Sequence, residues 1–174
     1  MEGGRPRKLL LMLVVDFVRS ARQVRGVNRI SLIGSVATDE DRPKDVDLLV
    51  CIGEDVDLAR LARFSRRLQG RAQSMGLGSD VFLCDDHGMY LGRVCPWKQC
   101  GPRYRASCDA LSCGVREYLH DDFGDIELDV KDVKRRAVEL WPEKRSEIDV
   151  PPDVQAVLWR GRGQEQTVSN EATE

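Results

Sequence analysis

The sequence predicts an α/β (α+β) fold, a small mixed sheet with helices packed on it, followed by a cysteine-rich appendage. Three observations carry this expectation. Helical and strand periodicities succeed one another in the order helix, strand, strand, helix, strand through the first half of the chain. The strand-like apolar runs are short and are bounded by glycine, proline or aspartate. Four of the 6 cysteines then fall within a single stretch, "CPWKQCGPRYRASCDALSC".

The first helix is read from Leu10, Leu13, Val14, Phe17, Val18, Ala21 and Val24, which recur at three- and four-residue steps. Asp16, Arg19, Arg22 and Gln23 take its other face, and Gly26 is a stop signal. Arg5, Arg7 and Lys8 ahead of "LLLMLVV" imitate a signal peptide, but the apolar run ends at Asp16 and no small-residue cleavage site follows. A mature, cytoplasmic helix is expected, with no membrane-spanning segment anywhere.

"RISLIG" (Arg29 to Gly34) reads as a strand, followed by a polar loop through Pro43 to Lys44. "DVDLLVCI" (Asp45 to Ile52) reads as a central strand, apolar on both faces after its start. Asp55 is the expected cap of a long helix with the stripe Leu58, Leu61, Ala62, Leu68, Ala72 and Met75. Five arginines, Arg60, Arg63, Arg66, Arg67 and Arg71, load its polar side. "SDVFLC" (Ser79 to Cys84) is the third strand. Further on, "DIELDV" reads as a strand and "KDVKRRAVELW" as a helix stopped by Pro142. From Glu143 the chain turns proline-rich and polar, with a possible docking turn at "VQAVLWRG".

At 174 residues the chain suits one domain with an appendage. The divisions expected are a core at residues 7–90, a cysteine-rich knuckle at 91–120, a completing strand and helix at 121–142, and a largely flexible tail at 143–174. With 27 basic and 29 acidic side chains, the overall charge names no partner.

The chemistry concentrates in "LIGSVATDEDRPKDVDLLV". Residues i and i+2 of a strand share a face, roughly 6.5 to 7 Å apart, so Asp45 and Asp47 aim at one region above the sheet. Two such charges about 4 Å apart repel by roughly 4 kcal/mol at an effective dielectric of 20. Solvent, a basic neighbour or a hard divalent cation such as magnesium would offset that. Gly34 lets the backbone approach phosphate oxygens closely, Ser35 adds a hydroxyl donor, and Lys44 adds a positive charge.

Gly34-Ser35, nine residues, then Asp45-Val46-Asp47-Leu48 resembles the signature of the DNA polymerase beta-type nucleotidyltransferases, and is most similar to the small minimal members. The resemblance spans Leu9 to about Asp86. It implies transfer of a nucleoside monophosphate from a nucleoside triphosphate to an unidentified acceptor: a small molecule, a protein or a nucleic acid. It also implies two magnesium ions held by Asp45, Asp47 and a third carboxylate, Asp80, which would orient or deprotonate the attacking hydroxyl. Gly34 and Ser35 would hold the pyrophosphate. Asp85 and Asp86 are rivals for the third position, but they come late in the strand.

Cys95, Cys100, Cys108 and Cys113, spaced as C-x4-C, seven residues, C-x4-C, suit a structural four-thiolate zinc site. Free or oxidised thiols are the alternative, with His87 and His120 as substitute ligands. Cys51 and Cys84 read as buried small residues. Arg93, Lys98, Arg103, Arg105 and Arg116 surround the cluster, interleaved with Trp97, Tyr104 and Tyr118. An alternative function follows: a non-catalytic module whose knuckle contacts nucleic acid or a protein partner.

Overall fold

The computed structural model describes residues 4–96, 116–121 and 129–159. Its elements are α1 (Gly4–Ala21), β1 (Val27–Ile33), a 3-10 turn (Ser35–Ala37), β2 (Asp45–Ile52), α2 (Leu58–Gln73) and β3 (Gly78–Cys84). There follow β4 (Tyr90–Val94), β5 (Leu119–His120), α3 (Val130–Arg135), β6 (Val138–Trp141), β7 (Arg145–Ser146) and α4 (Pro152–Trp159). The described strands form one mixed sheet in the order β5-β4-β3-β2-β1-β6-β7. β2 and β3 pair in parallel, with α2 as the crossover that parallel pairing requires. The remaining neighbours pair antiparallel.

The sheet has two unequal sides. On one, Val46, Leu48, Val50 and Ile52 of β2 join Leu32, Val81 and Leu83 beneath α1, α2 and α4. Leu10, Val14, Phe17 and Ala21 supply the buried stripe of α1, and Leu58, Leu61, Ala62, Leu68 and Ala72 that of α2. Both stripes follow the helical period read from the sequence. On the other side, Ile33, Leu49, Cys51, Phe82 and Cys84 form a smaller cluster under Val130 of α3 and Ala137. β2 is therefore apolar on both faces only beyond its first three residues.

Several expectations are corrected. The cap of α2 is Asp57, whose carboxylate accepts from the Arg60 N–H at 3.0 Å, because Gly53 to Val56 form a turn first. Met75 lies past the helix end and is exposed. "KDVKRRAVELW" is not one helix: α3 ends at Arg135, and Val138 to Trp141 pair with the open edge of β1. Hydrogen bonding along β1 outweighs a helical pattern of good formers that no glycine interrupts. Asp129 caps α3, accepting from the Lys131 N–H at 2.9 Å, so the end of "DIELDV" is not strand, while residues 125–128 lie outside the described residues.

The expected flexible tail is ordered through α4, where Val154 and Leu158 are buried against α1. The 91–120 segment is not a separate appendage at its ends, since β4 and β5 extend the main sheet. No helix among the described residues is long and apolar enough to cross a membrane.

Candidate functional site

The parallel register of β2 and β3 sets Asp47 opposite Asp80 and Asp45 opposite Gly78. Directly paired residues share a face, and neighbouring strands lie about 4.8 Å apart. Asp45, Asp47 and Asp80 thus stand together on the side of the sheet away from α1 and α2, just beyond the cluster that α3 covers. Asp45 is exposed, while Asp47 and Asp80 are half-buried. Burial first, then the Asp80 and Asp45 charges, push the Asp47 carboxyl up from 3.8 to about 6. The repulsion expected of the two strand-start aspartates is therefore present, and Asp80 adds more to it than Asp45.

Two glycines make room for these carboxylates. Gly34 has φ +72°, and a Cβ there would lie 2.6 Å from Asp47 Oδ2. Gly78 faces Asp45 so closely that a Cβ there would clash with its Oδ1. Gly34 then opens the 3-10 turn, whose ends are closed by the Ala37 N–H to the Gly34 carbonyl (3.1 Å) and the Thr38 N–H to the Ser35 carbonyl (3.2 Å). Ser35 is half-buried beside this turn. Lys44 is exposed, and its carbonyl accepts from the Gly78 N–H at 2.9 Å, which starts the β2–β3 ladder next to the acids. Arg7 of α1, only 7 % exposed, donates to the Glu40 carbonyl and reaches Asp153 at 3.4 Å. That bridge ties the loop between Ser35 and Asp45 to both α1 and α4.

Arg93 was expected beside the cysteines, yet it belongs to this site. On β4 it pairs with Phe82, on the same face as Asp80, and its Nη1 lies 3.2 Å from Asp80 Oδ1. His120 of β5 is its register partner, and the imidazole Nδ1 is buried with no hydrogen-bond partner among the described residues. Carboxylates on β2 and β3 are thus followed by a guanidinium and an imidazole on β4 and β5. The alternation of "YLGRV" is the only sequence signal for this, and it was masked by the adjacent cysteines.

The rivals Asp85 and Asp86 are elsewhere. Asp85 Oδ1 accepts from the Met89 N–H at 2.7 Å inside the β3–β4 turn, and Asp86 accepts from Asn28 at 2.7 Å. Both serve that end of the sheet. Of the cysteines, Cys95 is buried, with its N–H on the Tyr118 carbonyl at 2.7 Å. Cys100, Cys108 and Cys113 lie outside the described residues. Cys51 and Cys84 are buried as expected and face each other across β2 and β3, sulfur to sulfur 2.7 Å.

Three oxygen donors of like charge suit a hard divalent cation in chemistry. As the side chains stand, no three His, Cys, Asp or Glu among the described residues form a group able to hold a metal ion, and Asp80 is turned toward Arg93. Asp80 Oδ1 faces Arg93, at 3.2 Å, and a carboxylate has two oxygens, so an ion need not displace that partner. Compared with known protein families, curated proteins and solved structures, the chain matches none.

Proposed function

We propose that the chain is a nucleotidyltransferase, moving a nucleoside monophosphate from a nucleoside triphosphate to an acceptor hydroxyl with release of pyrophosphate. The observation that supports this best is the Asp47–Asp80 register, with Asp45 on the same face and Gly34 packed against the Asp47 carboxylate. Asp45, Asp47 and Asp80 would hold magnesium, which when bound supplies charge neutralisation on the phosphates and a more acidic acceptor hydroxyl. Asp80 would orient that hydroxyl and take its proton. Ser35 and the Gly34 backbone would bind the outgoing phosphates, with Lys44 adding positive charge. Arg93, beside Asp80, would add a guanidinium for a phosphate oxygen.

In this reading Cys95, Cys100, Cys108 and Cys113 hold one structural zinc, which metal analysis of the purified protein checks. The protein would work in the cytoplasm. The deciding experiment incubates protein with four labelled triphosphates, magnesium and cell extract, and looks for transferred label. Transfer by wild type and none by Asp47→Asn is expected; equal transfer by both would overturn the reading.

The Asp80–Arg93 ion pair favours a second reading, a binding module without turnover, because it already offsets one of the three carboxylate charges without a metal. The two separate on magnesium-dependent triphosphate binding, which the module would lack.

A further inference from the structure

The outer surface of α1 and α2 carries a charge pattern that the fold does not need. α2 has 16 residues, with arginine at 60, 63, 66, 67 and 71 and no acidic residue in its first turn or anywhere else. Arg60, Arg63, Arg67 and Arg71 are spaced at three and four residues and all are exposed, so they form one outward stripe. Arg19, in the groove with Arg67 and Arg71, and Arg25, beside Asp55 ahead of α2, are also exposed and extend it from the end of α1.

Two features make this stripe a cost to the helix. Like charges three or four residues apart oppose helix formation, and Arg63–Arg67 and Arg67–Arg71 are such pairs. The first turn is also where the helix dipole favours acids, and Arg60 stands there. Counter-charge inside the fold is sparse. Asp16 meets Arg71 at 2.6 Å and Arg19 at 3.9 Å, and Asp55 is 3.9 Å from Arg25. Among the described residues, Arg60, Arg63 and Arg67 make no ion pair. A pattern that weakens its own element points to charge supplied from outside.

We infer that this arginine face binds the phosphate backbone of a nucleic acid. Every cation in it is arginine, whose planar fork takes phosphate oxygens in pairs. From Arg60 to Arg71 the stripe runs about 16 Å, over which one strand of a duplex passes about five phosphates. A lipid surface fits poorly, because the apolar stripe of α2 is already buried against the sheet. The face lies across the sheet from Asp45, Asp47 and Asp80, so it anchors a polymer and does not touch the reacting groups. The inference is independent of the proposed transfer.

The test measures fluorescence anisotropy of a short labelled single-stranded RNA and a labelled duplex DNA across a salt series. Wild type should bind at least one of them. The variant carrying Arg60→Gln, Arg63→Gln and Arg67→Gln should bind about tenfold more weakly or worse, and its slope of log K against log salt should fall by about two to three. Its melting temperature should hold or rise as repulsion is removed, which separates lost binding from lost folding. Lysine at the same three positions should restore the salt slope. Unchanged binding in the glutamine variant would overturn the inference. So would tighter binding of wild type to polyglutamate or to vesicles containing phosphatidylserine than to either nucleic acid.

Discussion

The two ends of β2 and β3 on one face of the sheet differ sharply. Asp45, Asp47 and Asp80 occupy the starts of the strands, while Leu49, Cys51, Phe82 and Cys84 occupy the rest. Backbone, register and orientation are shared. What changes is the cover: Val130 and Val133 of α3 lie over the apolar end and not over the acidic one. A strand can thus be core and site within a few residues, and the alternation of side chains tells only which face each residue uses. The cover decides the chemistry.

Substitution at the two ends should separate activity from stability. The largest effect is expected for Asp45→Asn and Asp47→Asn, each of which should abolish label transfer while circular dichroism stays native. Retained wild-type activity in both would break the assignment of this end as the site. Asp80→Asn should lower transfer by about 10²- to 10⁴-fold, the usual scale for a positioned acid–base group. Asp85→Asn and Asp86→Asn, in the turn beyond the apolar end, should leave the rate within a few-fold.

At the covered end, Leu49→Ala should cost about 2–5 kcal/mol in denaturant unfolding, because Leu49 is 1 % exposed and α3 cannot close over the gap fully. A loss under about 1 kcal/mol would mean that α3 is loosely docked. Gly34→Ala should cost roughly 1–3 kcal/mol for the backbone alone, since φ +72° with ψ −160° is nearly reserved for glycine, and should displace the Asp47 carboxylate.

The pH dependence rests on the proton at Asp47, an effect that solvent screening makes small. Its carboxyl holds the proton up to about pH 6 in the folded chain, against 3.8 when unfolded. Its contribution to stability is therefore full below about pH 4 and is lost as pH rises through about 6. Above pH 6 Asp47→Asn should be more stable than wild type, by at most about 3 kcal/mol before solvent screening reduces it, and should melt at a higher temperature. The two should converge below pH 4. Magnesium should raise the wild-type melting temperature at pH 7 and leave the variant's nearly unchanged.

Much of this layout was legible in the sequence, for definite reasons. α1, β1, β2, α2 and β3 follow from local periodicity, and the Asp45–Asp47 pair follows from the two-residue repeat of a strand. Asp80 was implied by the resemblance alone, and the parallel pairing of β2 with β3 across α2 is what sets it beside Asp47. Arg93 could not be, since its place depends on the β3–β4 turn and on a register that local pattern does not encode. β6 was hidden because Val130, Val133, Ala137 and Leu140 recur at three- and four-residue steps and read as one helical stripe, and only the open edge of β1 decides against it. The packing of α4 was hidden by its polar, proline-bearing surroundings.

The parallel pairing of β2 with β3 also bears on the order of assembly. β1 and β2 are joined by one loop and can pair early, which brings Gly34 to Asp47. Asp80 arrives only after the chain has closed the longer path through α2, and such distant closures slow folding. If its charge meets Asp47 and Asp45 before the folding barrier is crossed, their repulsion slows folding. Refolding of the wild type in stopped flow should quicken as pH falls through about 6, and that of Asp47→Asn should show a flatter profile. Such a profile would make the acidic trio a brake on the protein's own folding, released by a proton.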